Sequence, residues 1–255
     1  MPVIHVFSGG TLTPGEAGVV QELPLALRVN DKDIVTLVAS PHDLRFLVAG
    51  FLRVQGFVSR AEDFLMLSVC NDFGVANVRI RGEMPETLKP ILTSGCGTGV
   101  TFSLPGSEGI PVVASPGPVS TAAVFNLMEQ LAQKAEKYKS HGGVHSAALG
   151  DLDGDLMFYA EDIGRHNTVD RLAGEALLRK TDIAGKMLVT SGRISAEMAA
   201  KAAFLGIPLL ASRTSPTDMA IRICEQAGMV LIGYLRGGKF TVYSHPELLT
   251  IPDQA

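Results

Sequence analysis

Cys96 stands in Thr93-Ser94-Gly95-Cys96-Gly97-Thr98-Gly99, a run interleaved with glycines and free of any core-facing periodicity. A nucleophilic thiol needs solvent access, clearance for the incoming atom and a lowered pKa, and flanking glycines supply the clearance. The same residues also make an ordinary tight turn in which the cysteine is incidental. Locally, the two readings stand even. Cys70 and Cys224 read as core residues: the first ends an apolar strand pattern, the second shares a helical stripe with Ala220, Ile223 and Ala227, and free cysteine is often buried. His141 and His145 are four apart, but Gly142-Gly143 between them argues against the continuous helix that would make them a metal pair. Asp151, Asp153 and Asp155 alternate like the opening of a calcium loop. Their glycine is misplaced and no glutamate closes the set, so an exposed hairpin turn is expected. No metal site is predicted.

More informative is a recurrence. Three times an apolar strand runs into a small polar turn that opens a helix: Asp162-Ile163-Gly164-Arg165-His166-Asn167, Thr190-Ser191-Gly192-Arg193-Ile194-Ser195, and Ala211-Ser212-Arg213-Thr214-Ser215-Pro216-Thr217. Such turns gather at the carboxyl ends of the strands in an α/β sheet, where ligands bind. Each offers free helix N-terminal amides, a polar side chain and one arginine, a combination suited to phosphate. One such turn is an ordinary helix start; three in succession point to a nucleotide or another phosphorylated ligand. A fourth segment, Tyr234-Leu235-Arg236-Gly237-Gly238-Lys239, joins the last two strands and adds two cations, though alone it reads as a plain hairpin.

The elements that position these residues follow from apolar spacing. Strands are predicted at 19–29 and 33–38, then a helix opening at Ser40-Pro41-His42-Asp43 and burying Leu44, Leu47, Val48, Phe51 and Leu52, with Gly56 at its end. A hairpin of 64–70 and 75–80 turns at Asn71–Gly74. Residues 93–118 hold six glycines and four prolines with no apolar period, which reads as a long loop connecting two domains. Beyond it come a helix over 120–137, a hairpin of 145–149 and 156–160, and alternating elements. The helices are 166–179, 195–205 and 217–227; the strands are 187–190, 208–211, 229–234 and 240–243. Alternation implies a three-layer α/β sandwich. The expected class is α/β (α+β overall), with a β-rich N-terminal domain over 1–105 that ends in the Cys96 loop and an α/β/α domain over 106–255.

Composition sets outer bounds. The 255 residues are 46% hydrophobic and 19% charged, with a net charge of −4. Such a chain buries a core, and its charge argues against a general nucleic-acid or membrane-surface binder. Three scattered cysteines make no disulfide framework. The first residues lack the basic and apolar regions of a signal peptide, and no apolar run is long enough to span a bilayer. A cytoplasmic protein is expected.

Glu161-Asp162-Ile163-Gly164-Arg165-His166-Asn167 with Val169-Asp170, and Ser191-Gly192-Arg193-Ile194-Ser195 with Glu197-Met198 and Lys201, resemble the FdhD family of formate dehydrogenase accessory proteins. Gly206-Ile207-Pro208, Ser212-Arg213 with Pro216-Thr217, Gly142-Gly143 before His145, Glu22 with Pro24, and Asp43-Leu44 with Gly50-Phe51-Leu52 extend the resemblance over nearly the whole chain. It implies a sulfurtransferase of molybdenum cofactor maturation. Persulfide sulfur from a cysteine desulfurase would pass to the bis-molybdopterin guanine dinucleotide cofactor for formate dehydrogenase, with a guanine nucleotide as a partial mimic of that bound substrate. The resemblance makes Cys96 the persulfide carrier and places Tyr234–Lys239 at the cofactor, beside Arg165, His166, Ser191, Gly192, Arg193, Ser212 and Arg213. It further implies a homodimer and a C-terminal fold similar to the cytidine deaminases, but no zinc, because Ser191–Ser195 supplies no thiolate. One departure matters: family members commonly carry Cys-Gly-x-Cys, and the second position here is Gly99. Sulfur would then leave straight from Cys96. Two other readings are a cofactor-binding chaperone without catalysis and a cysteine hydrolase using Cys96 with His145 or His166.

Overall fold

The computed structural model describes residues 3–16, 18–83, 91–92, 100–101 and 109–251. The chain opens with a hairpin, β1 (Ile4–Ser8) and β2 (Thr11–Gly15). β3 (Leu23–Val29), β4 (Lys32–Ala39), helix α1 (Leu44–Val54), β5 (Phe64–Cys70) and β6 (Val75–Ile80) follow. Two short pairs of residues, β7 (Ile91–Leu92) and β8 (Val100–Thr101), lead to β9 (Val119–Ser120), α2 (Thr121–Lys134), α3 (Glu136–His141), β10 (His145–Gly150) and β11 (Leu156–Asp162). The remaining elements are α4 (Arg165–Leu178), β12 (Met187–Thr190), α5 (Ala196–Phe204), β13 (Leu209–Ser212), α6 (Asp218–Ala227), β14 (Val230–Arg236), β15 (Lys239–Ser244) and β16 (Leu249–Thr250). Among the described residues no helix is long and apolar enough to cross a membrane.

Two sheets carry the mixed α/β fold. The first has the order β4-β3-β6-β5 and buries Leu25, Leu27, Val29, Ala76 and Val78 against Leu47, Phe51 and Leu52 of α1. The second has the order β11-β10-β12-β13-β14-β15. β12, β13 and β14 run parallel, and β10 is antiparallel to both β11 and β12, so β11 points the same way as those three. One face packs on α4, α5 and α6 through Val169, Leu172, Met198, Ala199, Ala202, Ile223 and Cys224. The other packs on α2 through Val124, Leu127, Met128 and Leu131. Three layers result, as the alternating elements require.

The two sheets meet through α1 and α4. A Cβ at Gly50 would lie 1.6 Å from the Asp170 carbonyl oxygen, and one at Gly174 would lie 1.9 Å from that of Phe46. The helices therefore touch backbone to backbone, and Arg53 donates to the Ala173 carbonyl across the same contact at 3.1 Å. Beside it the Asp162 carboxylate, fully buried, accepts from the Ser40 amide (3.2 Å), the Gly164 amide (2.9 Å), Asn167 Nδ2 (2.8 Å) and the Arg171 guanidinium (2.8 and 2.5 Å).

Three local expectations change. Ser40 does not cap α1. Its amide and hydroxyl bond Asp162 and Ile163 instead, so the helix opens at Leu44 behind Asp43 in the left-handed region (φ 45). Cys70 is exposed rather than core, because β5 is an edge strand with one buried face. The first strand begins at Leu23 rather than Val19, and the β1–β2 hairpin, interrupted by Gly9, Gly10 and Pro14, went unforeseen. Of the connecting loop, residues 109–118 carry no helix or strand; Cys96 and the rest of that segment's glycine-rich run lie outside the described residues.

The glycine contact is testable. Gly50→Ala should lower stability by about 3 kcal/mol, the upper range for overpacking a tight interior, read from urea unfolding followed by circular dichroism. An unchanged midpoint would mean that α1 and α4 stand farther apart.

Candidate functional site

Because β11, β12, β13 and β14 point the same way, their carboxyl ends share one edge of the sheet. The antiparallel neighbours bring their amino ends, His145 of β10 and Lys239 of β15, to that edge as well. All four predicted turns therefore lie along it. They are stitched together. Ser191 Nα donates to the Ser146 carbonyl (2.8 Å), and its hydroxyl accepts from the Ser146 amide (2.9 Å). Arg213 Nα donates to the Thr190 carbonyl (3.1 Å), and Ser212 Oγ donates to the Gly192 carbonyl (2.6 Å). Tyr234 Nα donates to the Thr214 carbonyl (3.0 Å). Gly192 sits where a Cβ would come within 2.9 Å of Arg165 Cβ and 3.2 Å of His145 Nδ1. Only a residue without a side chain lets the first two turns close on each other.

The cations divide by depth. Arg193, Arg236 and Lys239 are exposed and Arg213 is half-buried, whereas Arg165 is buried at the first turn of α4. The Arg236 guanidinium lies 5.9 Å from the centre of the Tyr234 ring, within cation–π range. Tyr234 itself has φ 54, and the turn beyond it places Gly237 and Gly238 at φ 59 and 70. That pair of positive values makes a tight hairpin and leaves Arg236 and Lys239 at its tip. Leu235 points the other way, into the core shared with α2. Ser212 and Ser191 spend their hydroxyls on the backbone bonds just described, so they hold the turns in place while the arginines face outward.

Beneath this edge lies a ladder of buried charge that sequence reasoning left unassigned. Asp170 holds Lys201 Nζ with both oxygens (2.8 and 3.0 Å), Lys201 approaches Glu197 Oε1 (3.5 Å), and Glu197 Oε2 approaches His166 Nδ1 (3.2 Å). The last approach is an ion-pair distance without hydrogen-bond geometry: both Glu197 oxygens, both His166 nitrogens and Ser195 Oγ are buried with no hydrogen-bond partner among the described residues. Buried polar atoms in that state are rare outside functional sites. Burial, then the positive charges of Lys201, Arg165 and the neighbouring His145, pushes His166 down to about 2, so the ring is neutral. His145 is likewise lowered by burial and by Arg165. Burial pushes Asp170 up to about 6 against the pull of Lys201. The signal for this ladder was present as the i, i+4 spacing of Glu197 and Lys201 in an alanine-rich helix, where charges on the buried face are out of place.

The remaining candidates fall away from the edge or into ordinary roles. Cys224 is buried and its thiol is pushed up to about 12 by burial, which makes it unreactive. Asp151 accepts from the amides of Asp153 (3.1 Å) and Asp155 (2.9 Å), the hairpin turn expected there. His141 closes α3 and His145 opens β10, so no helix unites them. Cys96, the residue the resemblance singled out, lies outside the described residues.

A family model matches residues 20–250, that of the FdhD/NarQ family. The chain belongs to this family. Among its relatives, the sulfur carrier protein FdhD of Bacillus subtilis (strain 168) is 34% identical over 248 residues, covering 94% of both chains. That of Listeria monocytogenes serotype 4b (strain F2365) is 34% identical over 260 residues, covering 97% of both. A crystal structure from Desulfotalea psychrophila, described as a formate dehydrogenase accessory protein, superposes with a TM-score of 0.77. It shares 26% sequence identity and covers 98% of each chain. The FdhD/NarQ membership thus extends over both sheets and all four turns.

The neutral His166 has a measurable consequence. Its folded value lies below the ordinary 6.5, so the unfolded chain takes up a proton first and stability attributable to His166 falls as pH drops below about 6.5. The slope is about 1.4 kcal/mol per pH unit. Asp170 works in the opposite sense between about 6 and 3.8, since there the folded state holds the extra proton. The difference between wild type and His166→Gln removes that second contribution. The gap in unfolding free energy should narrow by about 1.4 kcal/mol per unit from pH 6.5 to 5, and a constant gap would place a charged His166 in the fold.

Proposed function

We propose that this protein is a sulfur carrier for formate dehydrogenase maturation, with Cys96 as the carrying residue and the strand-end turns as the seat of an anionic, nucleotide-tailed substrate. The observation that carries this reading is the convergence of Arg193, Arg213, Arg236, Lys239 and three helix N-termini on one sheet edge, in a family whose relatives are named sulfur carrier proteins. Backbone amides at helix starts and guanidinium groups favour phosphate, so the tails of the bis-molybdopterin guanine dinucleotide cofactor suit this edge as substrate.

The transfer is written on sulfur alone. The Cys96 thiolate attacks the outer sulfur of a desulfurase persulfide. A Cys96–sulfur bond forms, the sulfur–sulfur bond of the donor breaks, and the donor cysteine leaves as thiolate. Cys96 then bears a persulfide, which is more acidic than a thiol and ionised at neutral pH. A nucleophilic site of the cofactor then gives an electron pair to the outer sulfur, so that a cofactor–sulfur bond forms as the sulfur–sulfur bond of the persulfide breaks, the acceptor is oxidised by two electrons and the Cys96 thiolate is regenerated. With Gly99 in place of a second cysteine, no internal disulfide competes with that departure. The same glycine favours one rival, a cofactor-binding chaperone that moves no sulfur.

After incubation with cysteine and a cysteine desulfurase, mass spectrometry should find one added sulfur mapping to Cys96, and Cys96→Ala should abolish formate dehydrogenase activation. Activation that survives in Cys96→Ala selects the chaperone. Arg236→Ala combined with Lys239→Ala should weaken guanosine diphosphate binding by about tenfold or more, measured by calorimetry, as expected for two charge-assisted phosphate contacts. Undiminished binding would move the substrate away from this edge.

A further inference from the structure

β11 forms one edge of the six-stranded sheet, and among the described residues no strand pairs with its outer side. The direction of its backbone groups follows from its neighbour. Ser146 turns its amide and carbonyl toward Ser191 beside β12, so Ala147 and Leu149, one and three positions on, turn theirs toward β11. There they face Ala160 and Phe158. By alternation, the amides and carbonyls of Tyr159 and Glu161 point away from the sheet, whereas a bulge at Met157, where the register shifts between Leu149 and Gly150, interrupts the pattern at the start of the strand. Natural proteins normally blunt such an edge with proline, an inward charge, a bulge or a cover, and β11 carries a bulge only at its start. Here Leu156–Glu161 instead floor a cavity of about 420 Å³, walled by Lys134 and Lys137 on one side and by Phe46, Glu175 and Arg179 on the other.

The walls select the occupant. Helices from both layers flank the strand, so a second copy, which brings its own helices, would meet them before reaching the edge. A single extended segment enters. The charges select its chemistry. Glu175 is paired with Arg179 (2.9 Å) and Asp162 with Arg171 (2.5 Å), while Asp43 shares a hydrogen bond with His42 (3.0 Å), whose pKa burial lowers. The Glu161 oxygens accept the amides of Lys137 (3.1 Å) and Tyr138 (2.9 Å). Lys134 and Lys137 alone among these wall charges have no carboxylate partner among the described residues.

We propose that the outer edge of β11 is a docking groove for a partner protein, which adds an extended segment of about five residues as a further strand and presents carboxylates to Lys134 and Lys137. Strand addition of this kind draws affinity from main-chain hydrogen bonds and selectivity from the flanking side chains. The groove is distinct from the strand-end turns, so this inference does not depend on the sulfur-transfer reading.

The blocked pentapeptide Ac-Glu-Val-Glu-Val-Glu-NH2 is a direct probe, with amide hydrogen exchange by NMR as the readout. At saturation it should slow exchange at Tyr159 and Glu161 by about tenfold or more. Lys134→Glu with Lys137→Glu should weaken it by about tenfold, and so should N-methylation of every peptide amide. Three results would overturn the proposal. One is no protection at millimolar peptide; another is equal protection by the N-methylated peptide or by Ac-Lys-Val-Lys-Val-Lys-NH2. The third is protection in the free protein that rises with protein concentration, which would give the edge to a second copy.

Discussion

The buried carboxylate of Asp162 is the point on which the arrangement of this molecule depends. It ends β11, fixes the first turn of α4 through Gly164 and Asn167, and reaches into the N-terminal sheet through Ser40. A lone carboxylate at zero exposure would be prohibitively costly. Here the desolvation is offset by the Arg171 guanidinium, whose remaining N–H groups bind the carbonyls of Ser40 and His42. Removing either partner would leave a buried charge unpaired, and such losses run to about 3–5 kcal/mol. One ion pair therefore joins the two sheets and sets the phase of the helix that carries Arg165 and His166.

The helix contact next to it explains why α4 is buried on almost every side. It lies between the large sheet, α1 and α5, and its glycine at 174 admits α1 at backbone distance. A helix with so little solvent-facing surface has room for charged residues only where they serve one another, and Asp170, Lys201, Glu197 and His166 do so in sequence. The ladder ends beneath the strand-end turns. Its atoms without hydrogen-bond partners among the described residues are those of Glu197 and His166.

Much of this was legible in the chain. The C-terminal strands and helices have strong periodicity and capping residues, and the strands at 187–190 and 64–70 agree with the spacing to the residue. The four polar turns were readable because each breaks an apolar pattern with the same residue types, and their convergence follows from parallel strands. What escaped detection depends on distant partners. Ser40 looks like a helix cap until Asp162 takes its amide, and Cys70 looks buried until β5 proves to be an edge. Residues Asp170, Glu197 and Lys201 stood within recognisable motifs, yet only packing shows that they touch. Leu235 sits within a polar segment and still turns inward, because strand alternation overrides its neighbours.

The reversed direction of β10 carries one more consequence. It alone among the central strands enters the sheet from the edge that carries the turns, so His145 arrives on an incoming strand, as Lys239 does on the last one, while the four arginines follow or end outgoing strands. The fold thereby builds one rim from two directions: arginine turns on outgoing strands, and a histidine on an incoming one that is locked to them through Ser146 and Ser191.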